Sequence, residues 1–256
     1  MTSYRVEVLE ATSLFSPHDD PAAAFERVWK LIPKDRPKRL WGFLDADGGL
    51  FVKGLRSLRR NALRSFSEGQ RTRRERWHLA RMAERGLPVP RLMAYGQESR
   101  AGFPVRSFLV EQLLRDTVDL DTWLPEHDEG EAERSRVVHE LGQLVQRMHD
   151  AQVFHGDLSC RNILVCDSGD LHLIDCPRAR IDPLPPRRQM FRRSDLFRLV
   201  RGLIRAGLSD VELRVMLRAA RAEGVEWRVI ELAHAHDRQA TRRRSLPLTK
   251  WLLSGH

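Results

Sequence analysis

His155-Gly156-Asp157-Leu158-Ser159-Cys160-Arg161-Asn162-Ile163-Leu164-Val165, with Leu171-His172-Leu173-Ile174-Asp175 after it, decides how this chain folds. The first run is polar and then turns abruptly apolar. Asp167-Ser168-Gly169-Asp170 parts residues 163–165 from 171–174, so the two apolar pieces read as short strands joined by a turn. Asp157, Asn162 and Asp175 then sit on the loops flanking a hairpin. One carboxylate that can orient a hydroxyl, with a carboxamide and a second carboxylate as hard oxygen ligands, is what phosphoryl transfer from a magnesium nucleotide requires.

Working outward, residues 131–151 carry Val137, Val138, Leu141, Leu144, Val145 and Met148 at helical spacing, a core helix that delivers the chain to His155. Downstream, residues 177–186 are rich in proline and arginine. A helix is expected from Ser194 to about Ala206, with Ser194 and Asp195 at its start and Leu196, Phe197, Leu199, Val200, Leu203 and Ile204 on its apolar face. Residues 209–222 and 226–240 read as two further helices.

Toward the amino terminus, residues 39–44 and 50–53 flank Asp45-Ala46-Asp47-Gly48-Gly49, the pattern of a hairpin. Lys53 ends its second strand, where an ammonium can reach phosphate oxygens or snorkel to water. Residues 67–85 form a basic helix with Trp77, Leu79, Ala80 and Met82 as its apolar stripe and Gly86 as its cap. Glu75 on that helix either pairs on the surface with Arg71 or aims Lys53 at phosphates. Residues 91–96 and 107–113 read as strands; the second leaves the backbone of Glu111 to Leu113 free to meet an adenine edge. Residues 1–21 show little periodicity and read as a leader, followed by a short helix at 22–31. Residues 116–130 read as a linker with a short helix.

With 256 residues, 41% of them hydrophobic, the chain can bury a real core. The net charge of +9 is carried overwhelmingly by arginine and favours a polyanionic partner: nucleotide phosphates, a phosphorylated glycolipid at a membrane surface, or nucleic acid. No apolar run approaches the roughly 18 residues that span a bilayer, and Glu7, Glu10 and Asp19 interrupt any signal-peptide pattern, so a cytoplasmic location is expected. Cys160, Cys166 and Cys176 form no paired motif and read as small apolar fillers.

Taken with their order, these motifs resemble the catalytic and metal-binding loops of the protein-kinase-like superfamily. Lys53, Glu75, Glu111, Asp157, Asn162 and Asp175 follow that fold over about residues 39–205. Within it the chain is similar to bacterial lipopolysaccharide kinases of the Kdo/heptose kinase type. Arg74-Glu75-Arg76-Trp77 leading to Gly86-Leu87-Pro88-Val89-Pro90, and Arg192-Arg193-Ser194-Asp195-Leu196, carry that likeness.

The resemblance implies an α+β, two-lobe fold: a small antiparallel-sheet lobe over 1–112 and a mainly helical lobe over 113–256. It implies ATP and Mg as cofactors, with Asp157 catalytic, Lys53, Glu75, Glu111 and Leu113 at the nucleotide, and Asn162 and Asp175 on the metal. The implied acceptor is a sugar hydroxyl of the lipopolysaccharide inner core. This anionic glycolipid is met at the inner face of the inner membrane through a basic patch of Arg56, Arg59, Arg60 and Arg64; nucleic acid is not expected.

The chain departs from the superfamily pattern in several places. Residues 32–39 hold no glycine where protein kinases have a glycine-rich phosphate loop, Gly156 replaces a frequent arginine, and Cys176-Pro177 follows the metal aspartate. Only 18 positions separate Asp175 from Arg193 and no Ala-Pro-Glu follows, which leaves little room for a peptide-docking segment. Asp195 either hydrogen-bonds the catalytic-loop backbone or caps a helix. Two other functions fit the residues: a small-molecule, aminoglycoside-like phosphotransferase, and a catalytically silent kinase fold that binds partners through its charge.

Overall fold

The computed structural model describes residues 2–10, 14–15, 19–32, 39–45, 49–56, 62–222 and 228–235. Its elements are β1 (Thr2–Val8), α1 (Pro21–Leu31), β2 (Arg39–Asp45), β3 (Leu50–Arg56), α2 (Ala62–Glu84), β4 (Leu92–Arg100), β5 (Phe103–Gln112), β6 (Thr117–Asp119), α3 (Leu120–Trp123), α4 (Ala132–Asp150), β7 (Val153–Phe154), β8 (Ile163–Cys166), β9 (Leu171–Leu173), β10 (Arg180–Ile181), α5 (Pro185–Arg205) and α6 (Asp210–Ala219). Residues 228–235 are helical too. Arg59 and Arg60 of the expected basic patch, residues 33–38 in the place of a glycine-rich loop, and the ends of the expected 226–240 helix lie outside the described residues. The chain divides into two compact units, Met1–Thr117 with His172–Ile181, and Val118–Leu171 with Asp182–His256.

In the first unit five antiparallel strands lie in the order β1-β4-β5-β3-β2. Side chains alternate between the faces of a sheet, and here the alternation puts the candidate site residues on one face and the α1 core on the other. Val52, Ala94, Phe108 and Val110 face α1 and bury Phe25, Val28, Trp29 and Ile32 in one core. Lys53, Ser107, Leu109 and Glu111 take the opposite face, which α2 covers. Accordingly α2 buries Thr72, Glu75, His78, Leu79 and Met82, whereas Trp77 is 49% exposed and Ala80 is exposed. The expected stripe thus holds for Leu79 and Met82 only, because the sheet face opposite α2 mixes the apolar Leu92, Tyr95 and Leu109 with polar residues: the Ser107 hydroxyl donates to Thr72 Oγ1 at 2.9 Å.

Two boundaries shift for similar reasons. β1 is an edge strand paired with β4 from Thr2 to Val8, not a leader; Tyr4 and Val6 pack against the α1 core while polar residues alternate with them. β3 continues past Lys53 to Arg56, so the lysine is held in mid-strand. Gly86, at φ +69°, ends α2 as expected, with Leu87 N–H donating to Met82 O at 3.1 Å.

In the second unit α4 buries Val137, Val138, Leu141, Leu144, Val145 and Met148, the expected stripe, and Gly142 lets α6 approach so closely that a Cβ would stand 2.3 Å from Met216 O. Arg134 is buried as well. Its guanidinium donates to the Glu212 carboxylate at 2.7 and 3.0 Å and to the carbonyls of Leu124, His127 and Gly207, so the cation lies inside without a vacant donor direction. Helix α5 starts nine residues before the expected Ser194, at Pro185, because prolines in the first turn need no amide partner and bring a helical φ. Asp195 is therefore a mid-helix residue and not a cap. No described helix is long and apolar enough to cross a membrane.

Candidate active site

The first unit gathers one lysine and three carboxylates. Lys53 and Glu111 are diagonal neighbours on β3 and β5, and the Lys53 Nζ lies 3.0 Å from Glu111 Oε1 and 3.0 Å from Glu75 Oε1 on α2. Both carboxylates are almost fully buried. Burial alone would push the Lys53 ammonium down; Glu111 and Glu75 outweigh it, so its pKa is raised and the charge is secure. Glu75 therefore faces Lys53 and not, as a surface pair would have it, Arg71.

Arg71, one turn before Glu75, instead donates to Asp175, its Nη2 3.1 Å from Oδ1 and 3.5 Å from Oδ2. Asp175 adopts φ +54°, a left-handed conformation uncommon outside glycine and concentrated at functional loops. The residue after it is anchored: His78 Nδ1 lies 2.8 Å from Cys176 O. Arg71, Glu75 and His78 thus form one face of α2 that meets Lys53 and the Asp175 segment together. Cys176 is an inert filler there, its thiol pushed well above the usual range by burial, and burial pushes Cys160 up to about 12.

The backbone beside Glu111 differs from the expectation. Gln112 N–H donates to Arg91 O at 2.8 Å and Leu113 N–H to Gly49 O at 2.5 Å, so these donors are not free for an adenine edge. The sheet ladder simply runs on past the end of β5. It is the buried side chain of Glu111, and not its backbone, that meets Lys53.

That side chain has a pH signature. Burial raises the Glu111 carboxyl by more than Lys53 lowers it, and Glu75 and Asp175 add to the rise. The folded protein then holds the proton to higher pH than the unfolded chain does, so stability falls as pH climbs from the ordinary carboxyl range through the raised value. Glu111→Gln removes that slope. Calorimetry should find the variant melting no lower than the parent at about pH 7, with any gap in its favour closing toward about pH 5.

The second unit holds the loop 155–162. His155 N–H and Gly156 N–H both donate to the Asp195 carboxylate, at 2.8 and 2.9 Å, and Asp195 is fully buried. This is the backbone role considered for Asp195, with Gly156 at φ +74° making the turn. Asp157 follows, half-exposed, with Arg198 Nη1 3.3 Å from its Oδ1. Asn162 Nδ2 donates to Asp157 O at 2.8 Å, which spends the amide nitrogen on the loop and leaves Oδ1 as the free acceptor. Helix α5 supports the loop along one face: Asp195, Arg198 one turn on, and Gly202, where a Cβ would lie 2.9 Å from Cys160 Sγ. Arg198 escaped the sequence reading; its position three residues after Asp195 is the signal for it.

A five-stranded antiparallel unit with a strand lysine paired to a helix glutamate, and a mainly helical unit with a buried aspartate under an Asp157–Asn162 loop, define a protein-kinase-like fold. A solved structure, "WaaP in complex with acyl carrier protein", has the same fold at a TM-score of 0.70, with 22% identity over 92% of this chain and 98% of that one. The profile of the lipopolysaccharide kinase (Kdo/WaaP) family matches residues 50–220, and the chain belongs to that family.

Among relatives, the 3-deoxy-D-manno-octulosonic acid kinase of Mannheimia succiniciproducens is 36% identical over 34% of this chain and 35% of its own length. That of Vibrio parahaemolyticus is 30% identical over 52% of each. The chain therefore spans about half or less of the length of these relatives.

Proposed function

We propose that this protein is an ATP-dependent kinase that phosphorylates a sugar hydroxyl of the lipopolysaccharide inner core, on Kdo or heptose. The family match carries this reading, since residues 50–220 run from β3 past Asp195 and include every candidate site residue.

In this reading the first lobe, residues 1–112, serves the nucleotide phosphates and the second, 113–256, the acceptor. Asp157 orients the acceptor hydroxyl and takes its proton as the acceptor oxygen bonds to the γ-phosphorus of ATP and the bond to the bridging oxygen breaks, releasing ADP. Lys53, aimed by Glu75 and Glu111, neutralises non-transferred phosphate oxygens, and Leu113 lies beside the base. Asn162 through Oδ1 and Asp175 through its carboxylate are the residues that would hold Mg, which when bound would neutralise charge on the transferring phosphoryl group.

The donor set suits that ion. Among the described residues no three His, Cys, Asp or Glu side chains gather as a metal centre. Magnesium in nucleotide sites commonly relies on one or two carboxylates with phosphate oxygens completing its shell. A guanidinium already takes a cation's place on Asp175.

The arginine-rich charge suits an anionic glycolipid and peripheral contact with the inner face of the inner membrane, from a cytoplasmic protein. The solved WaaP structure is of a complex with acyl carrier protein, which makes such a protein a second candidate partner. The test is a phosphorylation assay with labelled ATP over inner-core glycolipid, free Kdo and heptose, an aminoglycoside and a protein acceptor. Label in the glycolipid is the expected result. Label in the aminoglycoside alone, or in nothing, refutes the assignment.

A further inference from the structure

Among the described residues Lys53 is the only lysine in the first unit's cluster, and its charge is already claimed by Glu75 and Glu111. Asp175 adds a third carboxylate near enough to raise the Glu111 carboxyl. A polyphosphate entering this surrounding meets more negative than positive charge. Residues 32–39, where the superfamily resemblance puts a glycine-rich loop, contain no glycine. A further cation would offset that charge, and among the described residues Arg71 stands on the same face of α2 as Glu75.

We propose that Arg71 is a phosphate-binding residue of the nucleotide site, paired with Asp175 as the structure shows it and transferred to phosphate oxygens when a divalent cation takes Asp175. This rests on the reading of Asp175 as a metal ligand. Three observations support it. One guanidinium nitrogen, Nη2, reaches both carboxylate oxygens, at 3.1 and 3.5 Å, and a guanidinium binds phosphate oxygens with the same donors. The pair is partly solvent-exposed, with side chains 29% and 39% accessible, so separating it costs little once each group gains a new counter-charge. Finally, Arg71 is one helical turn from Glu75, so the helix that aims Lys53 carries Arg71 to the same phosphates.

The exchange also accounts for a divalent cation and nucleotide arriving together. Metal alone has to displace Arg71 and leaves the guanidinium without an anion; nucleotide alone leaves Asp175 unneutralised. Each is expected to bind more weakly alone than in the other's presence.

Calorimetric titration with adenosine, ADP and ATP, each with and without Mg2+, tests this on the full-length protein and on Arg71→Ala, Arg71→Lys and Asp175→Asn. In Arg71→Ala, ATP and ADP with Mg2+ should bind about tenfold or more weakly while adenosine binds as in the parent; Arg71→Lys should recover part of the loss. An ATP-to-adenosine affinity ratio equal to the parent's, or an increased one, shows that Arg71 only clamps Asp175 and overturns the proposal. If Arg71→Ala does not fold, the same ratio in Arg71→Lys decides, since both ligands report on one folded population. Asp175→Asn separates the two layers of argument. Mg2+ dependence of ATP binding that persists there overturns the metal assignment and the exchange with it, whereas its loss beside an unchanged ratio in the Arg71 variants overturns the Arg71 role alone.

Discussion

Asp157→Asn is expected to lower the single-turnover rate of phosphoryl transfer by roughly 10²–10⁴-fold and to leave the affinity for Mg-ATP near the parent value. Asparagine has the same size, so the loop geometry survives: the Asn162 amide bonds the backbone carbonyl of residue 157, not its side chain, and the loop is pinned from below by Asp195. What disappears is the proton acceptor and its negative charge. Arg198, 3.3 Å from Asp157 Oδ1, still meets an amide oxygen, so the side chain keeps its direction. A rate within a few-fold of the parent, with binding intact, would remove Asp157 from the chemistry. A fall in affinity as large as the fall in rate would make it a binding residue.

Asp195→Ala is expected to be the more damaging change to the molecule itself. Two backbone amides, of His155 and Gly156, lose their acceptor in a place where water cannot replace it, because the carboxylate is fully buried. Leaving a buried donor unpaired costs about 1–3 kcal/mol, so two of them approach several kcal/mol, a large share of ordinary domain stability. His149 Nε2, 3.6 Å from the same carboxylate, loses its neighbour as well. Chemical denaturation should show a clear fall in midpoint, and activity should drop in whatever fraction stays folded, since the turn that presents Asp157 is released. Asp195→Asn should rescue little: its amide nitrogen would face one of the two N–H donors. A stable and active Asp195→Ala would show that the loop is held by other means.

The local motifs were readable because their chemistry is local. The five-residue step from Asp157 to Asn162 lies on one loop, the α4 stripe repeats at helical spacing, and Gly86 ends α2 for a conformational reason that the residue itself carries. Errors fell where a buried partner is polar. On α2, hydropathy selected Trp77 and missed Thr72 and His78, which are inside because Ser107 and the carbonyl of Cys176 receive them. A serine beside an aspartate is a common helix opening and predicts a start at Ser194, whereas Pro185 and Pro186 begin α5 and free Asp195 for the loop.

By itself the sequence determined the superfamily, the order of the candidate residues and the loop that carries Asp157 and Asn162, because each is written in short-range spacing and residue type. Only the tertiary structure decided which charges meet. Glu75 had Arg71 within one helical turn yet turns to Lys53, and Arg71 goes to Asp175, 104 positions away in the chain. A pairing of that kind depends on which face of β3 and β5 lies under α2. Spacing along the helix permits either partner; burial of the lysine between two carboxylates selects one.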